Sequence, residues 1–230
     1  MISINEIYKK LLIDIYTNGE TRMPRGMECK ELRPGIVTLE NSLDNIITLP
    51  GFETNLEYAK EELRWYLNGT GDINFSPLIK RVWEKFSDDG QTVNSNYGER
   101  IFGRHSKISL NQFEWVIQKL KDDPDSRQAV ININSWFDKE KPTKDFPCTL
   151  NIQYFIVNNS LESIVYMRSN DIYLGFRNDV YCFTEIQKLL AEKLGVKPGK
   201  YYHIAGSMHL YKAQYHKVEK LLNEEKNKNF

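Results

Sequence analysis

The feature that most constrains the fold is a change of hydrophobic period near residue 129. Upstream, apolar residues recur at helical spacing: Ile4, Ile7, Leu11, Leu12 and Ile15 before Asn18-Gly19, then 55–67 (NLEYAKEELRWYL) closed by NGTGD, then 109–121 ending before DDPDS. Downstream, residues 129–134, 150–157 and 163–169 alternate in strand fashion, and Asn158-Asn159-Ser160 reads as the turn between the last two. Residues 181–194 return to a helix, with Cys182, Ile186, Leu189, Leu190 and Leu194 on one face and Gly195 as its cap. A last helix is expected at about 210–224. Residues 20–52 hold short extended pieces broken by Pro24, Pro34, Gly35 and Pro50-Gly51. With 230 residues, 40% of them hydrophobic, and no repeat or linker, the pattern predicts one α+β domain over 1–230. Its sheet should be largely antiparallel and packed by helices.

Charge narrows the function. Lysine plus arginine (31) equals aspartate plus glutamate (31), which argues against sequence-independent binding of nucleic acid; a small anion needs only a local arginine cluster. Cys29, Cys148 and Cys182 have no regular spacing, so no disulfide framework is expected, and the reducing cytoplasm is the expected compartment. The N-terminus carries no cleavage signal and no apolar run approaches the ~18 residues of a membrane span. The four histidines form no HxxxH or HxH pair, which argues against zinc.

One stretch fits no ordinary structural role. Residues 167–181, MRSNDIYLGFRNDVY, place two arginines, two Asn-Asp pairs, a serine and a glycine at a strand–helix junction. Cys148, in DFPCTLNIQ, begins the strand that pairs with the one ending in Arg168. It reads either as a small buried hydrophobe or as a nucleophile whose thiolate the guanidinium stabilises. Cys182 lies on an apolar helix face and reads as core, and Cys29 carries no signal. Arg25, Arg127 and Arg168 read as surface charges or together as a phosphate clamp. Glu62 fits a solvated helix face or an internal acid, and His209 a core or a sugar-binding histidine.

These segments resemble the thymidylate synthase superfamily. PCTLNIQYFIV is similar to the family's Pro-Cys active-site strand, MRSNDIYLGFRNDVY to its RSxD…G…N segment, and PGKYYHIAGSMHLY to its strand ending in His-x-Tyr. EELRWYLNGTGDIN, NSNYG and DPDSRQAVI match more weakly the glutamate helix, the Tyr-Gly turn and an arginine strand donated across the dimer. PRG occupies the place of a phosphate-binding arginine. Within the superfamily, Arg177, Asn178 and Asp179 replace proline, phenylalanine and the uracil-pairing asparagine. This arrangement is similar to the deoxycytidylate hydroxymethylase branch, with Arg177 and Asn178 expected to be tuned to the Asp179 carboxylate.

The resemblance implies a pyrimidine nucleoside monophosphate substrate and 5,10-methylenetetrahydrofolate as one-carbon donor. Cys148 is expected to attack pyrimidine C6, and water adding to the resulting exocyclic methylene gives a 5-hydroxymethyl nucleotide; hydride from the folate would give a methyl group instead. Glu62 and Tyr97 are expected to order water and line that cavity, and Asp179 to read cytosine. Arg25, Arg127 (from the other subunit), Arg168 and Ser169 are expected at the phosphate end, Asn170 at the base, and His209 and Tyr211 at the sugar. Trp83, Asp171 and Gly175 are expected to face the folate. A homodimer with shared active sites and a sheet face at its interface follows. Three features depart from the family pattern: Gln128 in place of a second clamp arginine, Thr149 after the nucleophile, and a chain that stops soon after the helix following His209, for which either a wetter site or impaired folate use is expected. A pyrimidine C5-methylase and a catalytically silent nucleotide-binding relative remain the alternative readings, and dCMP and CMP remain open.

Overall fold

The computed structural model describes residues 2–104, 110–140 and 143–228. Helix α1 (Ile4–Asn18) opens on Ser3, whose hydroxyl accepts from Glu6 N while the Glu6 carboxylate accepts from Ser3 N. This reciprocal cap satisfies two of the helix's free donors. Three short strands follow, β1 (Glu20–Arg22), β2 (Cys29–Leu32) and β3 (Gly35–Leu39). Next come α2 (Leu56–Leu67), α3 (Pro77–Trp83), α4 (Tyr97–Phe102) and α5 (Gln112–Asp122). The expected third helix thus starts at Gln112; residue 109 lies outside the described residues.

The alternating segments form β4 (Val130–Asn132), β5 (Thr149–Val157) and β6 (Ser160–Met167). Asn158 and Asn159 join the last two with φ of 49° and 59°, the left-handed pair that a two-residue hairpin turn requires. After the two-residue β7 (Asn170–Asp171), helix α6 runs from Phe176 to Leu194, starting five residues before the expected 181. Gly195, at φ 71°, stops it. Strands β8 (Lys197–Ala205) and β9 (Met208–Tyr211) follow, and α7 (Tyr215–Lys228) begins later than expected because residues 208–211 pair with β2. None of the helices in the described residues is long and apolar enough to cross a membrane.

The strands form two sheets, ordered β3-β8-β6-β5-β4 and β1-β2-β9-β7. Among the described residues only the β6–β8 and β7–β9 pairs are parallel, so the expected largely antiparallel α+β architecture is what the chain adopts. Alternation along β5, β6 and β8 turns Ile152, Tyr154, Leu161, Val165 and Tyr201 inward. Helix α6 covers the sheet, burying Val180, Phe183, Ile186 and Leu190. Its buried Gln187 is satisfied by the strands, accepting from Ser163 Oγ at 2.8 Å and donating to Leu161 O at 2.7 Å, so the polar group adds register without an unpaired burial.

Cys182 sits on α6 with its thiol 3.7 Å from Ala59 O on α2, buried as its apolar helix face implied. Cys182→Ala removes one packed sulfur and is expected to cost about 1 kcal/mol in urea unfolding. Nucleotide affinity is expected to stay at the parent value; a weakened affinity would show that this thiol does more than fill space.

Candidate active site

A β-bulge shapes the mouth of β5. Thr149 pairs with Met167 and Asn151 with Tyr166, so one residue is extra on the β5 side, which bends the strand where Cys148 enters it. Tyr97 Oη accepts from Thr149 N at 3.0 Å, holding that bend from the α4 side. Arg168 closes it from β6. Its backbone N–H donates to Cys148 O at 2.8 Å, its Nε to Pro147 O at 2.9 Å and its Nη2 to Phe146 O at 2.8 Å. The same Nη2 lies 3.5 Å from Cys148 Sγ. The guanidinium favours the thiolate, as expected, but burial outweighs it and holds the Cys148 pKa above the ordinary thiol value.

Beside this junction lies a cavity of about 420 Å³, lined in part by Arg25, Cys29, Arg168, Ser169, His209 and Tyr211. Arg25 reaches its rim from an exposed turn with φ of 52°. Ser169 Oγ and His209 Nδ1 lie 3.5 Å apart, and the His209 and Tyr211 rings meet edge to face at 5.0 Å. Arg127 is exposed and not among the lining residues. Cys29, which gave no signal in the sequence, is buried on β2 and lines this cavity. A larger cavity, about 620 Å³, lies around Arg100 and Asp138 and holds none of the expected residues.

Two carboxyls sit deeper. Glu62 is buried on α2 and accepts from Tyr58 Oη at 2.8 Å, and Tyr58 Oη accepts from Trp83 Nε1 at 2.9 Å. Burial, reinforced by the Asp179 charge, pushes the Glu62 pKa up to about 8. Asp179 lies in the first turn of α6, and burial pushes its carboxyl up to about 7 against the opposing bond from Asn170 Nδ2 at 2.6 Å. Gly175 makes that bond possible: a Cβ there would stand 3.0 Å from Asn170 Nδ2 and 3.2 Å from Asp179 Oδ2. Asp171 Oδ1 accepts from Tyr173 N and Leu174 N at 2.8 and 3.0 Å, while its buried Oδ2 has no partner among the described residues.

The expectation for Arg177 is corrected. Its guanidinium donates to Tyr173 O and Glu53 O and lies 4.5 Å over the Tyr173 ring, so it braces α6 rather than the Asp179 carboxyl. A second group went unread in the sequence: His203, fully buried on β8, joins Tyr201 to Asn170. The alternation Tyr201, His203, Ala205 along one strand face was the available signal.

The thymidylate synthase family model matches residues 6–230. The chain is 36% identical over 220 residues to the deoxyuridylate hydroxymethyltransferase of Bacillus phage SP01, across 91% of this chain; it spans 57% of that relative's length. It is 28% identical over 233 residues to the deoxycytidylate 5-hydroxymethyltransferase of Enterobacteria phage T4, covering 91% of this chain and 92% of that one. Among solved structures, the thermostable thymidylate synthase A from Bacillus subtilis superposes with a TM-score of 0.77 over 95% of this chain and 83% of its own, at 21% identity. The two share a fold, and the chain belongs to the thymidylate synthase family.

Proposed function

We propose that the chain transfers a hydroxymethyl group to C5 of a cytidine nucleotide, dCMP in preference to CMP, with 5,10-methylenetetrahydrofolate as one-carbon donor. The observation that carries this reading is the Asp179 carboxyl, pushed up to about 7 and bonded to one amide N–H. Cytosine presents an acceptor at N3 and a donor at N4, and a carboxylic acid matches both. The similarity to hydroxymethyltransferases of both deoxyuridylate and deoxycytidylate supports the reaction class and leaves the base to Asp179.

Cys148 Sγ attacks C6, and the displaced electrons run to N3, which takes the Asp179 proton; C5 thereby becomes nucleophilic without a build-up of charge. Glu62, pushed to about 8, exchanges protons with water near neutral pH. It removes the C5 hydrogen and orients the water that completes the hydroxymethyl group. Tyr97 fixes the strand that carries the nucleophile. Arg168, Arg25 and Ser169 receive the phosphate, Asn170 and Asp179 the base, and His209 with Tyr211 the sugar. The unpartnered, buried Asp171 Oδ2 suits an N–H donor of a pterin, so Asp171, Trp83 and Gly175 would hold the folate. When bound, the folate supplies a carbon at the formaldehyde oxidation level. Arg127, exposed and outside its own cavity, completes the clamp of a second copy in a homodimer. The outer sheet face with exposed Ile36 forms the interface.

Incubation of the protein with dCMP and methylenetetrahydrofolate is expected to yield a nucleotide heavier by CH2O, without the near-ultraviolet rise of dihydrofolate. A methylated product would convert the assignment to a methylase, and no product from either dCMP or dUMP would favour the silent relative. Cys148→Ala is expected to abolish exchange of the C5 hydrogen with solvent.

Asp179→Asn keeps a donor for N3 but has no proton to deliver there. Turnover of dCMP is expected to fall by at least tenfold, on the scale of one charge-assisted bond worth about 1.5–3 kcal/mol. Turnover of dUMP, which needs no proton at N3, is expected to fall less. Equal losses on both would show that Asp179 supplies no proton.

Unfolded, Glu62 and Asp179 release their protons near pH 4; folded, they hold them to about 8 and about 7. Across that window the native state binds more protons than the unfolded one, so stability is expected to fall as pH rises from 5 to 9. Urea midpoints measured along this range are expected to fall less steeply in Glu62→Gln; an unchanged slope would remove Glu62 from the effect.

A further inference from the structure

A chain of buried hydrogen bonds runs from the sheet to Asp179. Tyr201 Oη and His203 Nδ1 are 2.9 Å apart, His203 Nε2 and Asn170 Oδ1 3.1 Å, and Asn170 Nδ2 and Asp179 Oδ2 2.6 Å. Tyr201 and His203 are fully buried and Asn170 nearly so. Burial holds His203 neutral, so its ring carries one N–H.

The direction of this chain is determined at its far end. His203 Nδ1 is the sole hydrogen-bond partner of the Tyr201 hydroxyl among the described residues. The hydroxyl must therefore donate, because a buried O–H without an acceptor is costly. His203 Nδ1 then accepts, its proton lies on Nε2, and that N–H donates to Asn170 Oδ1. The Asn170 amide is thereby turned so that its NH2 meets Asp179 Oδ2. In the reverse direction Asp179 would donate to Asn170, His203 would carry its proton on Nδ1, and the Tyr201 hydrogen would have no acceptor.

This direction bears on base choice, given the reading of Asp179 above. A neutral carboxylic acid is an ambiguous reader. With its proton on one oxygen it offers the acceptor–donor pair that fits N4 and N3 of cytosine. With the proton on the other oxygen it offers the donor–acceptor pair that fits O4 and N3–H of uracil. From the geometry we infer that Tyr201 and His203 are positioning residues that, through Asn170, hold Asp179 Oδ2 as the acceptor turned to the base's C4 substituent and confine the acid proton to Oδ1 turned to N3, so that the carboxyl reads a cytosine edge and rejects a uracil edge. Tyr201 and His203 need not touch the base; they act through the orientation of Asn170.

Tyr201→Phe removes the hydrogen that sets the direction and leaves both His203 tautomers equally unpartnered at Nδ1. The ratio of dCMP to dUMP affinity, measured calorimetrically without folate so that no turnover is needed, is expected to drop by about tenfold. A loss of folding stability alone would leave this ratio unchanged, and an unchanged ratio overturns the inference. In the unaltered protein, nitrogen-15 NMR of the histidines is expected to show His203 protonated on Nε2. Protonation on Nδ1 would overturn the lock whether or not Tyr201→Phe folds. The NMR result is independent of the reaction assignment, so absence of hydroxymethyl transfer with an Nε2–H tautomer would sink the proposed function and leave the polarity of the chain standing.

Discussion

The junction between β5 and β6 depends on Arg168. One residue supplies a backbone N–H to Cys148 O and side-chain N–H groups to Pro147 O and Phe146 O. These bonds fix the segment that enters β5 just before its bulge, where the ladder alone is interrupted. The same guanidinium faces Cys148 Sγ and lines the cavity. A planar fork of donors suits this double duty, since it can satisfy carbonyls on one edge and present charge on another. The geometry around Cys148 and one cationic wall of the cavity therefore depend on the same side chain.

Much of this was legible in the residues. The alternating runs marked β5 and β6, and the Asn-Asn pair marked their turn, because period and turn chemistry are local properties. The motif segments brought Cys148, Arg168, Ser169, His209 and Tyr211 to one junction, although their roles rest on chemistry rather than on placement. What the sequence hid was non-local. Helix α6 starts at Phe176, not 181, because Arg177, Asn178 and Asp179 look like loop residues until their partners are known. Arg177 is tied to Glu53 O, more than a hundred residues away, and Asp179 to Asn170. The last helix was expected from about 210, but residues 210 and 211 are claimed by β2. His203 drew no reading from the sequence, and its bonds to Tyr201 on the same strand and to the distant Asn170 give it meaning.

Glu62 and Asp179 are both raised by burial, and the Asp179 charge raises Glu62 further. Two such groups resist being ionised together, so a proton lost by one is retained more firmly by the other. A site arranged in this way keeps at least one acid available near neutral pH. That suits a reaction needing a proton at the ring and another moved through water.

The proposed reading of cytosine by Asp179 sets an opposing requirement, that no cation capture the carboxylate. A guanidinium at bonding distance would hold the carboxylate ionised and leave cytosine N3 facing a negative oxygen. Among the described residues the partner of Asp179 Oδ2 is the neutral amide of Asn170, and Arg177, two residues away in sequence, is occupied by two carbonyls and an aromatic face. Asp171, four residues beyond the end of β6, adds a negative charge that favours the acid form. In the proposed reading Arg177 thus serves the base site by being held away from it: it braces α6 while burial, not a cation, sets the state of the carboxyl two residues on.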